Sequence, residues 1–183
     1  ARLAGGAART GSPGGFVSVV GDDDLGTDQV EGLVQAGDET HVIRRAGAAT
    51  RAVAAIVGPD GNRSLISDLS GQTALDDGDV HADQLAAASW LHLTGYTFLT
   101  EQSRSLFIQL TKQASALGIP WSVDPSAAQL IRARSDVASV REAFSGCDVM
   151  FPSDDEAALL ADVDDPVMAA SALLDLADCV VVT

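Results

Sequence analysis

Gly11-Ser-Pro-Gly-Gly-Phe-Val-Ser-Val-Val-Gly-Asp-Asp-Asp-Leu-Gly26 is the stretch that decides the fold. A turn of small residues leads into Phe16, Val17, Val19 and Val20, a short and nearly continuous apolar run. A strand covered on both faces in a parallel sheet has no wet side, so it reads this way rather than alternating. Gly21 and Gly26 then bracket three aspartates. Their carboxylates suit the positive end of a helix that starts there. The stretch predicts a strand running directly into a helix, the connection of an α/β protein.

Downstream of it, Leu25 to Ala36 reads as that helix, with Val30, Leu33 and Val34 on one face and Gly37 as its C-terminal cap. The periodicity then changes. Thr40 to Arg45 and Arg51 to Gly58 read as strands, and Pro59-Asp60-Gly61-Asn62 is a hairpin turn into Arg63 to Ser67. Residues 40–68 therefore form a β excursion between α/β units. Beyond it the rhythm resumes. Helices are expected at 81–88, 101–117, 127–144 and 154–160 and after Pro166, and strands at 90–94, 119–123, 148–151 and 179–182. Strands alternating with helices imply parallel pairing through crossovers. The chain opens on Ala1-Arg2-Leu3-Ala4 without a Met and stops on an apolar strand, so it reads as an internal portion of a longer protein.

The 183 residues suffice for one ordinary domain, with a high apolar share and few aromatics, so a core of Ala, Val, Leu and Ile is expected. A net charge of −15 argues against a polyanionic partner such as nucleic acid. No apolar run reaches the roughly 18 residues that would argue a membrane span, and no signal peptide opens the chain. Cys147 and Cys179 form no close-spaced motif and precede apolar runs, which reads as two buried free thiols in a cytoplasmic protein.

Open α/β sheets bind ligands at the carboxyl ends of their strands. Four such ends carry notable residues here: Gly21-Asp22-Asp23, Gly95-Tyr96, Asp124-Pro125 and Ser153 to Glu156. An Asp after a strand is more often a cap or turn former than a catalytic group. His92, inside an apolar strand, reads as a hydrogen-bonded core residue, and His41 and His81 as surface positions. There is no Ser–His–Asp, HExxH, CxxC or Walker-A pattern.

In order, these pieces resemble the ribokinase-like (PfkB) carbohydrate kinases over essentially the whole chain. Val20-Gly21-Asp22-Asp23-Asp24-Leu25-Gly26 is similar to the family's Val-Gly-x-Asp-x-x-Gly. Ala4 falls on the last Ala of its Gly-Gly-x-x-x-Asn-x-Ala signature, and Arg2 on the sugar-contacting Asn, where a long cation changes the pocket. Asp60-Gly61-Asn62-Arg63 resembles the lid hairpin, and Gln72 stands for the Asn that follows it. Trp90-Leu-His-Leu-Thr-Gly95-Tyr96 looks like the strand end beside the sugar, and Ser122-Val-Asp124-Pro125 like the Asp-Pro strand end. Pro152-Ser153-Asp154-Asp155-Glu156 resembles the Asn-x-x-Glu motif, with Ser153 in place of Asn.

The resemblance implies a ribokinase-like α/β fold, a mainly parallel sheet flanked by helices with a small β lid. It implies ATP-dependent phosphoryl transfer to a hydroxyl of a small sugar, or of a nucleoside. Arg2, Gln72, Gly95 and Asp124 are then the substrate-binding positions. Ser153 and Glu156 face Mg²⁺ and the ATP phosphates, Glu156 through water, and the lid is a candidate homodimer contact. The family's catalytic Asp, in Gly-Ala-Gly-Asp, is expected downstream of Thr183, so no catalytic base is assigned within these residues. The alternative is a non-catalytic or degenerate relative that binds a sugar or a partner. From the residues alone, Glu156 reads as a first-turn carboxylate favoured by the helix dipole.

Overall fold

The computed structural model describes residues 15–35, 39–61, 63–67 and 74–183. The chain divides into two compact units, Ala1–Ala74 and Leu75–Thr183.

In the first unit the opening stretch becomes β1 (Gly15–Gly21) and α1 (Asp24–Gln35), followed by β2 (Glu39–Arg45). β1 and β2 pair in parallel, Gly15 opposite Glu39 and Gly21 opposite Arg45. Residues 39–45 therefore complete a β–α–β unit, since a helical crossover returns the chain in the same direction. The separate pairing of the 40–68 segment is confined to β3 (Val53–Val57) and β4 (Arg63–Ser67), an antiparallel hairpin with Val53 opposite Ser67. Its tight connection turns at Gly61, whose φ is 82°. Every residue of β3 is exposed. On α1, Gly26 and Leu33 are buried but Val34 is exposed, because it sits off the face that those two residues define. Gly37 lies outside the described residues.

The second unit contains α2 (Ala82–Ala86), β5 (Leu91–Thr94), α3 (Gly95–Leu99), α4 (Arg104–Leu117), β6 (Trp121–Asp124), α5 (Ala128–Arg134), α6 (Val137–Phe144), β7 (Cys147–Met150), α7 (Asp154–Ala161), α8 (Pro166–Ala172) and β8 (Ala177–Val180). The four strands form one parallel sheet in the order β5-β6-β7-β8. The signals that start and stop these helices act as read. Asp165 caps α8, its Oδ1 accepting from Met168 N at 2.9 Å, and Pro166 follows at the first turn. Gly118 ends α4.

The core of this unit is more aromatic than the composition suggests. Phe98, Phe107 and Phe144 stack edge-on or tilted at 5.5–5.9 Å between ring centroids, and Trp121 meets Phe107 at 6.4 Å. Phe107 and Phe144 are fully buried, together with Leu106, Ile131, Met150 and Val123. Such rings each bury 150–250 Å², so a few of them at the centre outweigh their scarcity in the sequence. Cys147 is buried, and its thiol is pushed up to about 12 by that burial, which removes it as a nucleophile. Cys179, in β8, is exposed here, whereas a second buried thiol was expected. Among the described residues no helix is long and apolar enough to cross a membrane.

Candidate functional site

The Gly-Asp-Asp-Asp turn of the first unit is built around Asp23. Its Oδ1 accepts from Gly26 N (2.8 Å) and from the Thr50 hydroxyl (2.5 Å), and its Oδ2 accepts from Thr50 N (2.8 Å). The Thr50 oxygen in turn accepts from Gly21 N at 2.9 Å. These bonds, with the Thr50 hydroxyl first, hold the Asp23 carboxyl below its usual range. Asp23 thus caps α1 and tethers the segment that leads into the hairpin. A side chain at Gly21 would collide with the backbone of residues 48–50, which is why the turn needs glycine there. Replacing Thr50, which is buried, with Val should cost about 1–3 kcal/mol, because Gly21 N loses its acceptor. Urea unfolding checks this, and an unchanged midpoint would rule out the tether.

Four of the six residues predicted for the site come together in the second unit, at the carboxyl ends of β5, β6 and β7. Arg2 and Gln72 lie outside the described residues. Gly95 is buried where β5 turns into α3, and a Cβ there would overlap the Pro125 carbonyl and lie 2.6 Å from its carbon. The ends of β5 and β6 therefore touch backbone to backbone. At the end of β6, Asp124 Oδ1 accepts from Ser126 N at 2.8 Å, an Asx turn. Ser126 is held at φ 74°, a left-handed conformation that costs a non-glycine residue of order 1–2 kcal/mol. Its hydroxyl accepts from Tyr96 N at 3.2 Å, which closes a bridge back to the end of β5.

The end of β7 supplies the third side. Pro152 is fully buried, and Ser153 caps α7. Ser153 N donates to Glu156 Oε2 at 2.9 Å, and Glu156 N donates to Ser153 Oγ at 3.4 Å, a reciprocal capping box. The first-turn carboxylate reading of Glu156 is thus realised in full. Yet Glu156 is only 7% exposed. Burial pushes its carboxyl above the usual 4.5, the charges of Asp124 and Asp155 push further, and the Ser153 bonds offset part of the rise. The Tyr96 phenol is raised in the same way, by burial first and then by Asp124 and Glu156. Asp124, Glu156 and Tyr96 therefore share one electrostatic neighbourhood.

Hard oxygen donors in a negative field fit a divalent cation. Among the described residues no group of three His, Cys, Asp or Glu gathers to hold a metal by itself. Mg²⁺, which keeps several waters, needs only one or two carboxylates together with substrate phosphates. Three carboxylates in the first turn of α7 also make that helix end a poor seat for bare phosphate and a good one for phosphate carried by a cation.

Ser126 is a member that the sequence did not disclose as a site residue, whereas Tyr96 closes the Gly95-Tyr96 strand end already marked. Only the Asp124-Pro125-Ser126 string hints at the Asx turn. His92 is bonded as expected, its Nδ1 2.8 Å from Ser122 Oγ, but it is exposed rather than core, with its ring edge-on to Phe151. Trp90 Nε1 donates to the same Ser122 oxygen at 2.9 Å. His41 and His81 are exposed, as read.

The model of the pfkB family carbohydrate kinases matches residues 3–183. Among solved structures, the chain is similar to an adenosine kinase from Sinorhizobium meliloti (TM-score 0.89, 22% identity), over 98% of this chain and 55% of that one. It is similar to a PfkB protein from a Polaromonas species (0.83, 22%), over 99% and 64%. It is also similar to a fructokinase with bound ATP from Xylella fastidiosa (0.82, 19%), over 99% and 60%. The chain thus spans between about half and two thirds of the length of these proteins.

Proposed function

The chain belongs to the pfkB family of carbohydrate kinases, and on that premise we propose that it forms part of an ATP-dependent kinase that phosphorylates a hydroxyl of a small sugar. The observation that carries this reading is the convergence of Asp124 and the buried Glu156 at adjoining strand ends. Phosphoryl transfer is mostly positioning and charge stabilisation. Asp124 holds the acceptor by accepting from its hydroxyls, and Gly95 lets the end of β5 close beside it. Ser153 and Glu156 hold hydrated Mg²⁺, which supplies neutralisation of the ATP phosphates. The proton of the attacking hydroxyl passes to a base that these residues do not contain. The activity belongs in the cytoplasm, with ATP.

The test is ADP release from Mg-ATP with a panel of uncharged sugars and nucleosides, using the protein as its cell produces it. Stimulation by a sugar is the expected result. Stimulation by a nucleoside alone would move the substrate class, and no stimulation by any acceptor would overturn the reading.

We assign homodimerisation to the β3–β4 hairpin. Val53 and Val57 lie on one face of β3, with Ala55 between them, and are each about 60% exposed, an apolar strip that a second hairpin would cover. Replacing Val53 and Val57 with Asp should lower the molar mass seen by light scattering. An unchanged mass with the fold intact would remove the dimer.

A further inference from the structure

α8 and the 3-10 turn that follows it, Leu173–Asp175, are apolar on two sides. Ala169, Leu173 and Leu176 turn inward and join the core of the second unit. Val167 and Leu174 stand roughly opposite them, each more than a third of a turn from Ala169 in a helix of 3.6 residues per turn. Val167 is 78% exposed, Leu174 53% and Met168, beside Val167, 62%. A surface helix carries polar residues on its outer side, and one that is apolar all round is normally covered. A neighbouring crossover helix would not cover this side. Crossover helices lie side by side in one layer on the sheet, and Val167 and Leu174 face out of that layer.

The charge around the face says what suits it. From Glu142 to Thr183 the chain holds ten of its 26 acidic residues and none of its 11 basic ones. Asp162, Asp164 and Asp165 lie at the start of α8, Asp175 adjoins Leu174, Asp178 follows in β8, and all five are exposed. The nearest cation in sequence, Arg141, is engaged elsewhere, donating to the Leu160 carbonyl at 2.6 Å. A second copy would set one acidic rim against another, and nucleic acid or an anionic membrane would be repelled in the same way. We infer that the outer face of α8 is a docking surface for a basic amphipathic helix of a partner protein, which lays its apolar side on Val167, Met168 and Leu174 and its Lys and Arg side chains over the flanking aspartates. The apolar contacts hold the helix, and the charges steer it and select against other partners. The face runs from Pro166 to Asp175, so about three turns of a partner helix cover it. One helix on another is a transient contact, below the size of a permanent interface. The docking surface does not rest on the kinase reading.

Met168 and Met150 are the two methionines of the chain, the first exposed and the second fully buried, so dilute peroxide reads the face directly. In the protein as its cell produces it, Met168 should oxidise and Met150 should not, by mass spectrometry of the digest. The probe is a synthetic peptide of about 14 residues, roughly four turns, with Leu at i, i+3, i+4 and i+7 and Lys and Arg elsewhere. At saturation it should slow Met168 oxidation severalfold. Its Kd by fluorescence anisotropy should be about tenfold tighter than that of a peptide of the same composition in scrambled order. Val167→Gln with Leu174→Gln leaves the charge intact and should weaken binding about tenfold. Asp164→Asn with Asp175→Asn should flatten its salt dependence. A bound peptide that leaves Met168 unprotected overturns the inference, as does equal binding of the scrambled peptide or unchanged binding by the glutamine variant. Each would mean only general attraction to an acidic protein. A Met168 that resists peroxide from the outset overturns it by placing the protein's own chain on the face. Protection that grows with protein concentration alone overturns it by placing a second copy there.

Discussion

Replacing Glu156 with glutamine should leave the protein as stable as the wild type or more so, while the Mg²⁺ concentration needed for half-maximal kinase activity rises about 10- to 100-fold. The two halves of this result come from two jobs of one side chain. As the third residue of α7, Glu156 closes a capping box with Ser153, and glutamine fills that position equally well. As a buried carboxylate facing Asp124 and Asp155, it pays desolvation and repulsion that an uncharged amide does not. Charge retained against stability is the mark of a site arranged for a ligand.

The pH dependence gives a second reading of the same variant. The folded carboxyl binds its proton more tightly than the unfolded one. The stabilising increment of Glu156 is therefore fully present below about pH 4.5 and is lost as pH rises through the folded value. Glu156→Gln has no such loss, so its stability advantage over wild type should grow through that window and then level off at higher pH. Taking the difference between the two proteins cancels carboxylates that behave the opposite way, such as Asp23 and Asp136, whose hydrogen bonds lower them. Thermal melts between pH 4 and 8, in buffers without divalent cations, measure it. A wild type that gains on the variant as pH rises would sink the electrostatic argument, and an unchanged Mg²⁺ requirement would sink the metal-side assignment.

How much of this was legible in the sequence depended on whether the information was local. The strand at Gly15–Gly21, the capped helices at Ser153 and Asp165 and the stop at Gly118 are each encoded within a few residues, and they appear where the pattern puts them. The direction in which β2 pairs is not local. An apolar strand does not state its partner, and only the helical crossover from β1 makes it parallel. The candidate site divides in the same way. Asp124 and Glu156 could be marked by type and strand-end position, whereas the Tyr96–Ser126 bridge joins residues 30 apart. Asp23 could be read as a cap, but its hold on Thr50, 27 residues on, could not.

Gly95→Ala should be the most damaging single methyl in the second unit, costing upwards of about 3 kcal/mol. The added carbon would meet the Pro125 carbonyl oxygen, carbonyl carbon and Cα. None of these is the end of a flexible side chain that could swing away. Pro125 is fully buried, and Ser126 beyond it is already in a left-handed conformation and tied to Asp124. The loop therefore has no cheap direction in which to retreat. Relief would come by parting the ends of β5 and β6, which breaks the Tyr96–Ser126 bond and moves Asp124 from its place. The substitution should thus lower the urea midpoint and, under conditions where the variant is still folded, raise acceptor KM more than the KM for ATP. Gly95 is a positioning residue: it owes its place in the site to the absence of a side chain, which lets two strand ends close on each other. A Gly95→Ala protein that unfolds at the wild-type urea concentration would show that the contact relaxes freely, and with it the rigidity ascribed to this edge of the sheet would be lost.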